Sequence, residues 1–187
     1  MQATPGTPLS QPEQHTETEG PRPPRRRVWV FVVVALVAYA ADVVTKVIAV
    51  ETLAGQAPVP LVGDLLVLRL TRNPGAAFSL GTSATFVLSL ISIGVVLVVA
   101  WLARRVASRV WAVALGLLLG GAAGNLTDRL VREPAPEHML QGHVVDFLEL
   151  PNWPVFNLAD AAIVLAAALI IVQSFRGIQI DGGRAKS

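Results

Sequence analysis

The chain has 187 residues, of which 53% are hydrophobic and only 15% are charged, and its formal net charge is +2. A soluble domain carries about 25% charged residues, so this composition argues against a soluble protein and favours one embedded in a bilayer. The sequence contains no cysteine, which excludes disulfides, thiol catalysis and lipidation of the chain on cysteine.

The chain begins with a polar segment, residues 1–27, which is rich in Pro, Thr, Gln and Glu. We expect it to be a disordered cytoplasmic extension. Its closing Arg25–Arg27 favours an anchor before a membrane span over a nucleic-acid patch. The first span follows at about 28–50. The arginines, the apolar run and Ala38-Tyr39-Ala40 also resemble a cleavable secretory signal, but three further spans argue against that alternative.

Three polar residues share one face of the first span near its outer end. Asp42, Thr45 and Lys46 are spaced i, i+3 and i+4. One interpretation is a local ion pair with a lysine whose head extends to the interface. The other is a structural role in holding a functional site.

The first outer loop, residues 51–82, contains Pro58 and Pro60, which break a helix. Residues 65–72 alternate leucines with Val, Arg and Thr, so we predict a short strand at the membrane surface. The following Asn73-Pro74-Gly75 favours a turn.

Three more spans are predicted, at about 83–103, 110–130 and 158–175. Gly116, Gly120 and Gly124 form a stripe on the third span that lets two helices approach closely. We expect the 177–187 tail to be polar, cytoplasmic and frayed.

A second polar cluster closes the third span, where Asn125, Asp128 and Arg129 are again spaced i, i+3 and i+4. An Asp–Arg pair at a helix end can be a mutually neutralising pair. We favour a buried polar cluster that positions a substrate.

The basic residues set the topology. Ten of the fifteen Lys and Arg residues fall in the N-terminal tail, the 104–109 turn or the C-terminal tail. This bias predicts four crossings with both termini in the cytoplasm, and it explains the basic charge without nucleic acid. All the polar clusters then lie at the outer ends of the spans.

Two aspartates remain beside this outer face, Asp146 and Asp160. When two carboxylates share a site, repulsion leaves one protonated and one ionised, which suits acid–base catalysis as in aspartic proteases. Each could instead cap a turn or helix, although capping explains Asp160 less well because it lies about one turn inside the fourth span. A metal site with His138 and His143 lacks convincing further ligands.

Five sequence blocks in order resemble the lipoprotein signal peptidase (signal peptidase II) family, the bacterial membrane aspartic peptidases. The match covers about residues 28–176. The blocks are Asp42-Val-Val-Thr-Lys46, Asn73-Pro-Gly-Ala-Ala-Phe78, Gly120-Gly-Ala-Ala-Gly-Asn-Leu-Thr-Asp-Arg129, Gly142-His-Val-Val-Asp146-Phe147 and Phe156-Asn-Leu-Ala-Asp160. The chain differs from the usual pattern in its long 1–27 extension and its long 131–141 linker.

The resemblance implies an all-α membrane protein with four transmembrane helices and a small extracytoplasmic β-like cradle formed by the first outer loop. It implies that Asp146 and Asp160 are the catalytic dyad, and that the structural pair of the first block is Asp42 and Lys46. Residues that line or support the site would be Asn73, Gly75, Asn125, Asp128, Arg129, Val145 and Asn157.

The resemblance also implies an activity. The enzyme would remove signal peptides from diacylglyceryl-modified prolipoproteins, cutting before the lipidated cysteine at the outer face of the bacterial cytoplasmic membrane. It would need no metal or other cofactor, and its partners would be the lipidated precursors and membrane lipid. We expect a monomer. The alternative is a small transporter or channel subunit whose carboxylates relay protons.

Overall fold

The computed structural model describes residues 26–75, 82–133 and 140–184. The extension up to residue 25, the Ala76–Phe78 part of its sequence block and His138 therefore lie outside the described residues. The described chain forms four helices and three strands: α1 (Val28–Leu53), β1 (Val59–Val62), β2 (Leu66–Asn73), α2 (Thr82–Leu102), α3 (Arg109–Val131), β3 (Val144–Glu149) and α4 (Leu158–Phe175).

All four helices are long and apolar enough to cross a membrane, which confirms the predicted four-helix membrane fold. The helix α3 lies at the centre of the bundle. Half of its membrane window is buried inside the protein, compared with 17% for each of the other three helices. Because α3 packs against α1, α2 and α4, side chains on its different faces can meet residues from every other helix.

The glycine stripe of α3 faces α1. A β-carbon added at Gly116 would lie 2.8 Å from the carbonyl oxygen of Phe31, and one at Gly120 would lie 2.6 Å from that of Ala35. One turn further on, Gly124 lies against the side chain of Asp42. The predicted close approach of two helices is confirmed, and it brings the polar end of α1 against that of α3.

The three strands form one antiparallel sheet in the order β1-β2-β3. The predicted alternation in β2 is confirmed around Arg69, which is exposed while Leu68 and Leu70 pack against the apolar cluster at the end of α1. It does not extend to Val67 and Thr71, which are half-buried, and the pairing with β3 is irregular between Leu68 and Thr71. The sheet is larger than the connection between α1 and α2 alone could make, because β3 comes from the connection between α3 and α4. Asp146 therefore lies in a strand rather than in a loop.

The end of the bundle opposite the sheet is closed by the C-terminal segment. The carbonyl oxygen of Ile180 accepts hydrogen bonds from the amides of Ala107 and Ser108, and the indole of Trp111 donates to the carbonyl of Ile178. The prediction of a frayed tail is wrong for this stretch, because the segment is bound to the turn between α2 and α3.

Candidate active site

Asp146 is held in β3 with only 2% of its surface exposed. The register of the sheet places Asn73 opposite Val144 and Asp146 opposite Thr71, so Asn73 and Asp146 are diagonal neighbours on one face. Asn73 Nδ2 donates to Asp146 Oδ2 at 2.9 Å. The sheet thus brings together two residues that are 73 positions apart.

Burial raises the pKa of Asp146 to about 6 from an ordinary value of 3.8. The hydrogen bond from Asn73 opposes this shift, the negative charge of Asp160 adds to it, and the hydrogen bond from Asn157 opposes it again. Removal from water disfavours the ionised carboxylate more than the two amides stabilise it. Asp146 therefore retains its proton closer to neutral pH than an ordinary aspartate.

Asp160 lies in the first turn of α4, and Asn157 is the N-cap of that helix. The Asp160 amide donates to Asn157 Oδ1 at 2.9 Å, and the Asn157 amide donates to Asp160 Oδ2 at 3.3 Å. These two bonds form a capping box, so the expectation that capping explains little about Asp160 is wrong. The other oxygen, Asp160 Oδ1, accepts from Asn125 Nδ2 at 2.8 Å.

Asn157 links the two aspartates. Its side-chain Nδ2 donates to Asp146 Oδ1 at 2.6 Å, while its Oδ1 and main-chain amide bind Asp160. The chain reaches this position because the amide of Phe156 donates to the carbonyl of Leu148, which folds the β3–α4 connection back beside β3. A fully buried asparagine thus fixes the two carboxylates relative to each other.

Lys46 and Asp42 together link α1 to α3 and α4. Its ammonium group lies 2.8 Å from Asp42 Oδ2 on α1, 2.9 Å from Asp128 Oδ2 on α3 and 2.8 Å from Asn125 Oδ1. Asp42 Oδ1 in turn accepts from the amide of Ala159 in α4. The local Asp42–Lys46 ion pair is confirmed, but the lysine is fully buried and does not extend to the interface.

Asp128 connects α3 to β3. Its carboxylate accepts from the amide of Val145 at 3.1 Å and forms ion pairs with Lys46 and Arg132. The interpretation as a neutralising pair with Arg129 is therefore wrong. Arg132 was missed from the sequence, although its i, i+4 spacing from Asp128 could have identified it.

Arg129 is 91% buried, and its Nε and Nη1 atoms have no hydrogen-bond partner among the described residues. Because buried donors without acceptors are costly, these two nitrogens are suited to a ligand that carries oxygen acceptors.

Gly75 supports Asn73 rather than the aspartates. Its backbone has φ of +105°, which favours glycine, and its amide donates to Asn73 Oδ1 at 2.8 Å. The predicted turn is confirmed at these residues. Because this bond occupies the Asn73 oxygen, the Asn73 amino group is left to face Asp146.

An apolar groove of about 400 Å³ opens beside Asp160 on the outer side of α4. Trp153, Phe156 and Asp160 line it together with small or branched residues of α4, and its surface is almost entirely apolar. Two carboxylates, a buried arginine and an apolar approach from the lipid side are suited to acid–base chemistry on an apolar substrate. Among residues 26–75, 82–133 and 140–184, no three His, Cys, Asp or Glu side chains are grouped to hold a metal.

Comparisons with known proteins agree on one family. Residues 34–176 match the family model described as signal peptidase (SPase) II. A lipoprotein signal peptidase of Mycobacterium avium (strain 104) is 49% identical over 178 residues, covering 94% of this chain and 96% of that protein. A lipoprotein signal peptidase of Rhodococcus jostii (strain RHA1) is 46% identical, covering 90% of this chain and 85% of that protein.

The fold has a counterpart among solved structures. A bacterial membrane enzyme structure superimposes with a TM-score of 0.71 and 25% sequence identity, covering 83% of this chain and 98% of that chain.

Proposed function

Because this chain belongs to the signal peptidase II family, we propose that it removes signal peptides from lipoproteins with Asp146 and Asp160 as its catalytic carboxylates. The observation that carries the assignment is the link through Asn157, which binds both carboxylates at once. Asp42 and Asp128 are less suited to catalysis, because ion pairs with Lys46 engage both of them.

The mechanism needs one proton shared by the two aspartates. Burial favours that proton on Asp146, which polarises the scissile carbonyl, while ionised Asp160 accepts a proton from water. The water oxygen bonds to the carbonyl carbon, the C–N bond then breaks, and the proton passes to the leaving amine. The unpaired donors of Arg129 are placed to hold a substrate carbonyl during these steps.

The proposed substrate class rests on the family to which the chain belongs, and the apolar surroundings of Asp160 are compatible with it. We propose that the precursor carries a diacylglyceryl-modified cysteine and is cut immediately before it. The apolar groove of about 400 Å³ beside Asp160 would admit acyl or apolar peptide groups directly from the bilayer. We further propose that the enzyme acts as a monomer and needs no metal.

The orientation in the membrane is also part of the proposal. Arg27, Arg105 and Arg184 lie in three segments that meet at the end of the bundle opposite the sheet, where Arg27 binds Val106 and the C-terminal segment binds residues 107 and 108. Clustered arginine marks the cytoplasmic side. We therefore place both termini in the cytoplasm and the aspartates at the outer face of the cytoplasmic membrane.

Purified protein in lipid vesicles tests this function directly. Two precursors with the same sequence are compared, one carrying a diacylglyceryl group on its cysteine and one carrying the free thiol. We expect cleavage of the lipidated form immediately before the cysteine, read by mass spectrometry, and little cleavage of the other. Ion flux across the vesicles without cleavage would instead support a channel or transporter and contradict the proposal.

The pH dependence of the reaction follows from Asp146. Since its pKa is about 6, the singly protonated pair is depleted as the pH rises, and we expect kcat/KM to fall about tenfold per pH unit well above pH 6. Asn73→Ala removes a hydrogen bond that lowers this pKa, so the fall should begin at higher pH. Arg69→Gln, which alters only an ion pair with Glu149 on the exposed sheet face, serves as the control. Identical profiles for the two variants would contradict the assignment.

A further inference from the structure

The side-chain amide of Asn125 has an orientation that its neighbours determine. Its Oδ1 accepts from Lys46 at 2.8 Å and from Asn157 at 3.1 Å, and its Nδ2 donates to Asp160 Oδ1 at 2.8 Å. The two ends of an asparagine amide are nearly equal in size, so hydrogen-bond partners alone decide which end faces which group. A flipped amide would present an oxygen to the Asp160 carboxylate.

Lys46 prevents that flip. An ammonium group has hydrogen-bond donors and no acceptor, so it binds the oxygen of an amide and repels the amino group. The contact from Asn157 is longer than that from Lys46, and the same Asn157 amino group also serves Asp146 at 2.6 Å. Lys46 therefore makes the shorter and charged contact to Asn125 Oδ1.

Lys46 is itself fixed. Its ammonium group donates a hydrogen bond to Asn125, forms ion pairs within 3 Å with Asp42 and Asp128, and has no exposed surface. An alternative rotamer would leave a buried ammonium or carboxylate unpaired, which is costly. The direction of its contact to Asn125 is therefore constant.

We infer that Lys46 is a positioning residue for the peptidase reaction, acting through Asn125 to direct a hydrogen-bond donor onto Asp160. The inference rests on the proposed function of the two aspartates. Lys46 thus orients Asn125 in addition to neutralising the charges of Asp42 and Asp128. The ammonium group does not touch the substrate, so its removal should lower kcat and leave KM nearly unchanged.

The experiment separates positioning from charge neutralisation. Lys46→Met leaves Asp42 and Asp128 with one positive charge fewer, so it is combined with Asp42→Asn, which restores the charge balance of the cluster. The double variant and the wild type have the same net charge in this cluster, so their turnover is compared directly. Asp42→Asn alone keeps the lysine and an oxygen for the Ala159 amide, and it measures the effect of the shared substitution. Turnover of the lipidated precursor and thermal unfolding in detergent are measured for both variants and the wild type.

We expect Asp42→Asn/Lys46→Met to unfold near the temperature of Asp42→Asn but to turn over roughly 100-fold more slowly than the wild type and Asp42→Asn, with KM within about threefold. Equal kcat in the double variant and in either of these two proteins would overturn the inference. Should the double variant not fold, Asn125→Asp decides, because it keeps the volume and the oxygen facing Lys46 but presents a second oxygen to Asp160. Retained kcat in Asn125→Asp would also overturn it.

The activity of the wild-type protein distinguishes a failure of the proposed function from a failure of the role inferred for Lys46. If the wild-type protein fails to cleave the lipidated precursor at all, the proposed function fails. If it cleaves and the double variant cleaves equally well, only the role of Lys46 fails.

Discussion

Asp146→Asn and Asp160→Asn should each reduce cleavage of a lipidated precursor by about 10³-fold or more, because neither variant can form the singly protonated carboxylate pair. Each substitution preserves size and leaves one oxygen, so the bond from Asn73 to residue 146 or from Asn125 to residue 160 can be kept, while one bond from Asn157 is lost. The bundle should therefore remain folded. Turnover is measured in lipid vesicles alongside thermal unfolding of the same preparations.

Asp64→Asn is the matched control for this pair of variants. Asp64 lies between β1 and β2 at the same end of the molecule, and it is exposed. The Asp64→Asn variant should cleave the precursor at the wild-type rate. Normal turnover by either dyad variant would remove that aspartate from the catalytic assignment, whatever the control shows.

Gly120→Ala should destabilise the helix bundle. The added β-carbon would lie 2.6 Å from the Ala35 carbonyl oxygen and 2.7 Å from the Ala38 β-carbon, so α1 and α3 must separate. Overpacking of this kind costs about 1–3 kcal/mol of unfolding free energy. Activity should fall as well, because Lys46 would move with α1 away from Asn125 on α3.

Gly94→Ala tests whether the contact rather than the glycine itself matters. A β-carbon at Gly94 in α2 has no atom within 4 Å, and alanine favours a helix over glycine by about 1 kcal/mol. Its unfolding temperature in detergent should therefore equal or exceed that of the wild type. Equal unfolding temperatures for the two variants would show that the α1–α3 approach does not limit stability.

The four helices could be predicted because a run of about 20 apolar residues has few alternatives. The strand β3 could not be predicted in the same way. Its first four residues, Val144 to Phe147, are all buried, so the alternation that reveals a half-exposed strand is absent. The position of Asp146 in a sheet is therefore a property of tertiary structure, although the proximity of Asp146 to the other polar residues was foreseen.

The capping box at the start of α4 could have been predicted from the sequence. Asn157 and Asp160 stand in the N-cap and N3 positions that define the motif, directly before an apolar run. The contact of Lys46 with Asp128 could not be predicted in this way. The two residues are 82 positions apart, and only the packing of α1 on α3 brings them together. Local spacing predicts pairs within one helix, whereas the partners across helices require the assembled bundle.

The pairing pattern of the buried charges has a consequence for how the chain enters the bilayer. Asp42 and Lys46 are four residues apart on α1, and Asp128 and Arg132 are four residues apart at the end of α3. Each segment can thus be inserted with its own counter-charge, which lowers the cost of moving an ionised side chain into lipid. The Lys46–Asp128 contact forms only when α1 and α3 meet, so the same charges that enter as two neutral pairs then hold the assembled helices in register.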